Sequence, residues 1–131
     1  MKSPVEGWSD ARFKNWIISL LRKGTLRFPN RTLALNAAKR GKKINKLTGR
    51  LAEHYECFKC HTLVPYSQTH VDHNPPVVDP KTGFVNFDVY IERMFAPPKV
   101  WRVSCKPCHV IITGKETKQR VKERAKRKKK V

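Results

Sequence analysis

Long apolar runs are missing from this 131-residue chain: the longest stretch, Trp16 to Leu21, is short and is broken by Ser19. A spanning helix needs about 20 predominantly apolar residues in succession, so no membrane-crossing role is expected. Acidic residues are scarce as well, with 10 Asp and Glu against 29 Lys and Arg, for a formal charge of +19. That excess repels itself in isolation. Its simplest reading is an electrostatic footprint for a phosphate backbone. An anionic membrane surface would attract the same charge, but nothing in the chain approaches an inserting segment. The amino terminus lacks an uninterrupted apolar core and soon carries Glu6 and Asp10, so no secretory signal is read there. A soluble, intracellular setting follows as the expectation.

Cysteine is also sparse, four residues in all, but each one has a partner at fixed spacing. Cys57-Phe58-Lys59-Cys60 and Cys105-Lys106-Pro107-Cys108 are identical Cys-x-x-Cys pairs. Each pair can fold as a tight knuckle presenting two thiolates to one ion, and two knuckles complete the closed tetrahedral set of a structural zinc. Two disulfides are the alternative use, disfavoured by the missing secretory signal. Catalysis by a free thiol has no cysteine left to use. The spacer is long: 44 residues separate Cys60 from Cys105, so a whole substructure lies inside the zinc clip. At this length one domain is expected, and a zinc would help a core that 39% hydrophobic content leaves modest.

Along the chain, Ser9 is the N-cap expected for an amphipathic helix to about Lys23, with Phe13, Trp16, Ile17, Leu20 and Leu21 on one face, read as packing residues, and Gly24 at its end. A weaker helix is predicted from Asn30 to about Arg40. Residues 11–50 hold twelve basic side chains and no acidic one, which marks residues 1–49 as a basic helical arm that contacts DNA. Arg50 to Glu56 and Thr69 to His73 read as strands around the first knuckle. Residues 74–83, with Pro75, Pro76 and Pro80, must be loop. Phe87 to Phe95 reads as a short helix burying Tyr90, Ile91, Met94 and Phe95, and the second knuckle opens a last helix carrying His109. Residues 115–131 hold ten basic and two acidic side chains and are expected to form a mobile basic tail.

The order of these parts is specific. A knuckle, a strand ending in Asp72-His73, a loop, then Cys105-x-x-Cys108-His109 resembles the zinc-containing HNH endonucleases. The stretches Gly7-Trp8-Ser9-Asp10-Ala11-Arg12-Phe13, Thr48-Gly49-Arg50-Leu51-Ala52 and Gly83-Phe84 with Tyr90-Ile91-Glu92-Arg93-Met94-Phe95 are similar to a phage-encoded, homing-type branch of that family. The resemblance spans most of residues 5–113. It implies an α+β fold in which a small ββα-metal HNH core, residues 50–114, is stapled by a four-cysteine zinc site and flanked by N-terminal helices and the basic C-terminal tail.

The resemblance also implies roles. His73 would be the general base, Asp72 a ligand of a catalytic Mg²⁺ or Mn²⁺, and His109 a residue holding that ion or a phosphate. The Asn that usually precedes the second knuckle is absent, since Lys99-Val100-Trp101-Arg102-Val103-Ser104 stands there. Asn86 is the best substitute for it as a ligand. Asn74 and Ile112 depart from the pattern without touching ligand or base. His61 reads as structural or exposed, and His70 as a packing or phosphate-contacting residue on the face of Asp72. Two functions are therefore in play. One is a metal-dependent endonuclease that hydrolyses DNA, duplex DNA being the expected partner; the other is a catalytically weakened zinc protein that binds nucleic acid. The presence of both Asp72 and His73 favours the enzyme, because a pure binder has no need of a carboxylate beside the phosphates it must attract. Target site, oligomeric state and biological role are not written in these residues.

Overall fold

A computed structural model describes residues 1–129 of the chain. Its first helix, α1 (Asp10–Gly24), begins as its sequence dictates: Ser9 Oγ accepts from the Arg12 backbone N–H at 3.1 Å, with Asp10 in the first turn and Arg22 and Lys23 in the last. The expected packing face is only half used. No residue of α1 is buried, and Trp16 and Leu20 stay nearly half exposed. Trp16 instead stacks on Phe13, with ring centroids 6.2 Å apart, and meets Trp8 edge to face at 6.4 Å. Helix α2 (Pro29–Ala37) starts with proline, which costs no hydrogen bond at a helix start, and buries Leu35.

Where the sequence predicts α2 continuing to Arg40, the chain turns into a strand. Strand β1 (Lys39–Ile44) pairs antiparallel with β2 (Leu51–Glu56), and β3 (Leu63–Pro65) covers only the last three residues of β2. Every β1 side chain is exposed. The strand is amphipathic in neither period, so no pattern announces it: its pairing with β2 and the turn between them hold it, not burial. In that turn Asn45 is buried, its Oδ1 accepts from Leu47 N at 2.9 Å, and its carbonyl accepts from Gly49 N at 2.7 Å. Gly49 supplies the positive φ of +73° that the turn requires.

A second, two-stranded sheet forms from β4 (Thr69–His73) and β5 (Trp101–Cys105), in a register that sets Asp72 opposite Arg102 and His73 opposite Trp101. Helix α3 (Phe87–Met94) lies between them in sequence and buries Tyr90 and Met94, whereas Ile91, expected inside, is 43% exposed. Helix α4 follows β5 directly and runs from Lys106 to Lys129. The expected mobile tail is therefore helical as far as it is described, with Lys130 and Val131 outside the described residues. Lys, Glu, Arg, Gln and Ala all favour helix, and they outweigh the roughly 1 kcal/mol that Gly114 costs in mid-helix.

The fold is thus α+β, with four helices, two small antiparallel sheets and one four-cysteine cluster among the described residues. Its apolar core is small. One cluster joins Leu35, Tyr55 and Val103, backed by Ala38 and Val71, and the other is built from Cys57, Cys105 and Cys108 against Val64. Cores of this size generally need a staple. Among the described residues no helix is long and apolar enough to cross a membrane.

Candidate functional site

Two knuckles meet because β2 and β5 end side by side. The Phe58 N–H donates to the Val103 carbonyl at 2.8 Å, which clasps the first knuckle to β5, and Cys105 closes β5 just before α4 carries Cys108 in its first turn. His61 ends the first knuckle in a left-handed conformation, φ +62°, with its N–H donating to the Cys57 carbonyl at 3.0 Å and its ring exposed. Its role is to close the turn.

The ligand atoms of Cys57, Cys60, Cys105 and Cys108 lie within 4.8 Å of one another, and no disulfide joins them. A tetrahedral ion with Zn–S bonds near 2.3 Å spaces its sulfurs about 3.8 Å apart; Cys60 Sγ and Cys105 Sγ are 3.7 Å apart. Charge tells the same story. The Thr62 hydroxyl and backbone N–H hold the Cys60 thiol down to about 6, whereas its sulfur neighbours, Cys105 foremost, push Cys108 up to about 12. Four thiolates cannot share so small a space without a cation between them. The chain carries a four-cysteine site fitted to a zinc ion.

A second centre lies at the other end of the β4–β5 ladder. Because side chains alternate along a strand, His70 and Asp72 share one face of β4 while Val71 and His73 take the other. Helix α4 brings His109 to the Asp72 face: its ring stacks on His70 with centroids 4.0 Å apart, and its Nδ1 lies 3.3 Å from Asp72 Oδ2. That contact lacks hydrogen-bond geometry, so His109 Nδ1 is a buried nitrogen without a partner among the described residues. The two side chains offer two donor atoms that a divalent ion could share. Two neighbouring ligands of an octahedral Mg²⁺ at 2.0–2.1 Å stand about 3.0 Å apart, close to the 3.3 Å found. Among the described residues no third His, Cys, Asp or Glu joins the pair as tightly as the four sulfurs are joined.

His73 is held differently. Its Nε2 lies 2.7 Å from the carbonyl oxygen of Met94, at the C-terminal end of α3, where helix carbonyls have no partner within the helix. A carbonyl can only accept, so Nε2 carries the ring hydrogen and Nδ1 keeps its lone pair. Trp101 packs on the ring at a centroid distance of 3.9 Å and is itself anchored by donating its indole N–H to the Ala96 carbonyl at 3.1 Å. Burial pushes the His73 imidazole below its ordinary value, against the opposing pull of the Met94 carbonyl and the Asp72 charge. Burial likewise lowers His70, helped by the charges of His109 and Lys106.

Asp72, His73 and His109 line one cavity of about 260 Å³. Asn86 is not among its lining residues. Its Oδ1 accepts from the Val89 N–H at 2.8 Å as the N-cap of α3, and it borders a separate, smaller cavity, so the structure does not bring it beside Asp72 as the substitute ligand. The residue that does reach Asp72 was missed from the sequence: Arg102 Nε donates to Asp72 Oδ1 at 3.0 Å. Also missed were Arg22 from α1, Tyr90 from α3 and Thr113, Glu116 and Arg120 from α4, all lining the same cavity. The α4 residues recur with His109 at spacings of four, three and four, a helical stripe that a periodicity reading of the supposed tail could have found. Comparison with protein-family models, curated proteins and solved structures finds no match.

Proposed function

We propose that this chain is a metal-dependent endonuclease of the HNH type, hydrolysing phosphodiester bonds of DNA with His73 as general base and Asp72 and His109 as ligands of a catalytic divalent ion. One observation carries the reading: a histidine whose Nε2 is committed to a backbone carbonyl lines the same cavity as an adjacent carboxylate and imidazole. A packing histidine needs no carboxylate pole beside it, and a binder of phosphates gains nothing from Asp72.

In this scheme His73 Nδ1 takes a proton from a water molecule as the water oxygen bonds to phosphorus. The P–O3′ bond breaks, and the departing oxygen takes its proton from solvent. A bound Mg²⁺ or Mn²⁺ would supply positive charge at the phosphate and at the departing oxygen. Asp72 and His109 would hold that ion, Arg102 orients Asp72 through its 3.0 Å contact, and Trp101 fixes the plane of His73. The exposed basic strand β1 and the basic α4 arm supply nonspecific attraction for the duplex.

The binder reading keeps one specific support. Asn86 is spent as a helix cap, which leaves two donors where a well-held ion takes more. A supercoiled-plasmid nicking assay separates the two. Wild-type protein is expected to relax plasmid with added Mg²⁺ or Mn²⁺ and not without, and His73→Ala to bind DNA without cutting. Absence of nicking under every divalent ion leaves the binder.

A further inference from the structure

We infer that the cavity beside Asp72 and His109 has a second, anion-binding pole built by Tyr90, Arg120 and Arg22, which takes the phosphate next to the cleaved one on the same strand. The identity of the strand rests on the nuclease reading; the anion site itself does not.

Among the described residues four buried side-chain nitrogen or oxygen atoms have no hydrogen-bond partner: Tyr90 OH, Ser104 Oγ, His109 Nδ1 and Arg120 Nε. Three of these four belong to residues that line one cavity. Buried polar groups are paired in nearly all folded proteins, and unpaired ones collected at one place are the mark of a missing ligand. His109 is explained by the divalent ion. Arg120 is not, because a guanidinium is itself a cation with no lone pair to give a metal, and Tyr90 comes from α3 rather than from the strand and helix that carry Asp72 and His109.

Their chemistry restricts the occupant. Arg120 Nε can only donate, and a tyrosine hydroxyl can donate, so the occupant must bring acceptor oxygens. Tyr90 is only 3% exposed, so solvent does not satisfy it from outside. Arg22 adds a second guanidinium from α1, and neither it nor Arg120 has a carboxylate within salt-bridge distance among the described residues. Asp72 is already matched by Arg102, so the unmatched lining charges are two arginines against Glu116. Planar guanidinium groups fit phosphate oxygens in pairs. The three side chains come from three helices, α1, α3 and α4. The pole therefore exists only when the basic C-terminal helix lies across the site.

Inorganic phosphate is the probe. Zinc-loaded full-length chain without added Mg²⁺ would be titrated, with affinity read by calorimetry for wild type and every variant and the Arg120 Nε–H resonance followed in the chains that keep Arg120. Wild type is expected to show a saturable shift. Tyr90→Phe, Arg120→Gln and Arg22→Gln should each weaken phosphate binding roughly tenfold or more, with zinc content and thermal midpoint unchanged for the exposed Arg22. A duplex with one methylphosphonate beside the cut position should bind wild type more weakly but Arg120→Gln no differently. If phosphate leaves the Arg120 signal unmoved, or all three variants bind it like wild type, ordered water alone fills the pole and the inference is overturned. Should phosphate titrate through Arg120 while wild type cuts no DNA, the nuclease reading falls and the anion site stands.

Discussion

Arg102 Nε lies 3.0 Å from Asp72 Oδ1, while the same guanidinium rests 4.6 Å above the ring of Phe58, the second residue of the first knuckle. The four-cysteine site and the cavity are therefore mechanically joined: knuckle to Phe58, Phe58 to Arg102, Arg102 to Asp72. Residues that orient a metal-binding carboxylate typically contribute 10–100-fold to affinity or activity. Arg102→Gln should lower the nicking rate by about that factor at saturating Mg²⁺ with zinc content unchanged. A rate within twofold of wild type would remove Arg102 from the site.

The zinc site should hold the fold itself. Structural zinc contributes on the order of 10 kcal/mol in small domains, and three of the four cysteines are buried in a core with little else to replace them. Metal analysis should find one tightly bound zinc per chain. Cys57→Ser or Cys105→Ser should lose the cooperative thermal transition seen by circular dichroism; a soluble variant with a wild-type melt would show that the cluster is dispensable.

His73 and Asn86 should separate chemistry from stability. His73→Ala is expected to cost about 10²–10⁴ in cleavage rate with DNA affinity kept. Asn86→Ala removes an N-cap and should destabilise by about 1 kcal/mol, lowering the melting temperature without changing the Mg²⁺ concentration at half-maximal rate. A large rise in that concentration would restore Asn86 as a ligand.

Strand β1 presents Lys39, Arg40, Lys42 and Lys43 with every side chain exposed. Lysines on an edge strand also discourage aggregation, so exposure alone does not make them DNA contacts. Arg40 is partly neutralised by Glu56 at 3.5 Å. Replacing Lys39, Lys42 and Lys43 with Gln should make the plot of log K against log salt shallower by about 2.7 units if each meets one phosphate. An unchanged slope assigns the strand to edge protection.

Gly114 sits inside α4 with open space where a Cβ would go and no positive φ to require glycine. Gly114→Ala should therefore raise stability by about 0.5–1 kcal/mol, read as a higher melting temperature. A fall would mean that α4 bends or opens there in solution.

Local rules made several elements legible. Ser9 as N-cap, the strand from Thr69 to His73 and the buried Tyr90 and Met94 follow from caps, alternation and helical spacing that a few neighbouring residues set by themselves. Strands β1 and β5 did not show: the first has Ile44 as its one apolar side chain, and the second, Trp101-Arg102-Val103-Ser104-Cys105, alternates over only five residues before it runs into the second knuckle. The second helix was overextended for the same reason: Lys39 to Ile44 is strand only because Leu51 to Glu56 pairs with it.

The sequence by itself determined the four-cysteine site, since paired thiolates at fixed spacing have few other uses, and it determined the basic charge that any partner must meet. It also named Asp72, His73 and His109. Which of those residues meet, and what else reaches them, was decided only in three dimensions. Register across β4 and β5 sets Arg102 against Asp72, the end of α3 offers the Met94 carbonyl to His73, and the continuing α4 carries Arg120 to the cavity. Asn86 shows why spacing could not decide this. Its side chain had two possible uses, a ligand or a cap, and in the fold it caps α3 by accepting from the Val89 N–H.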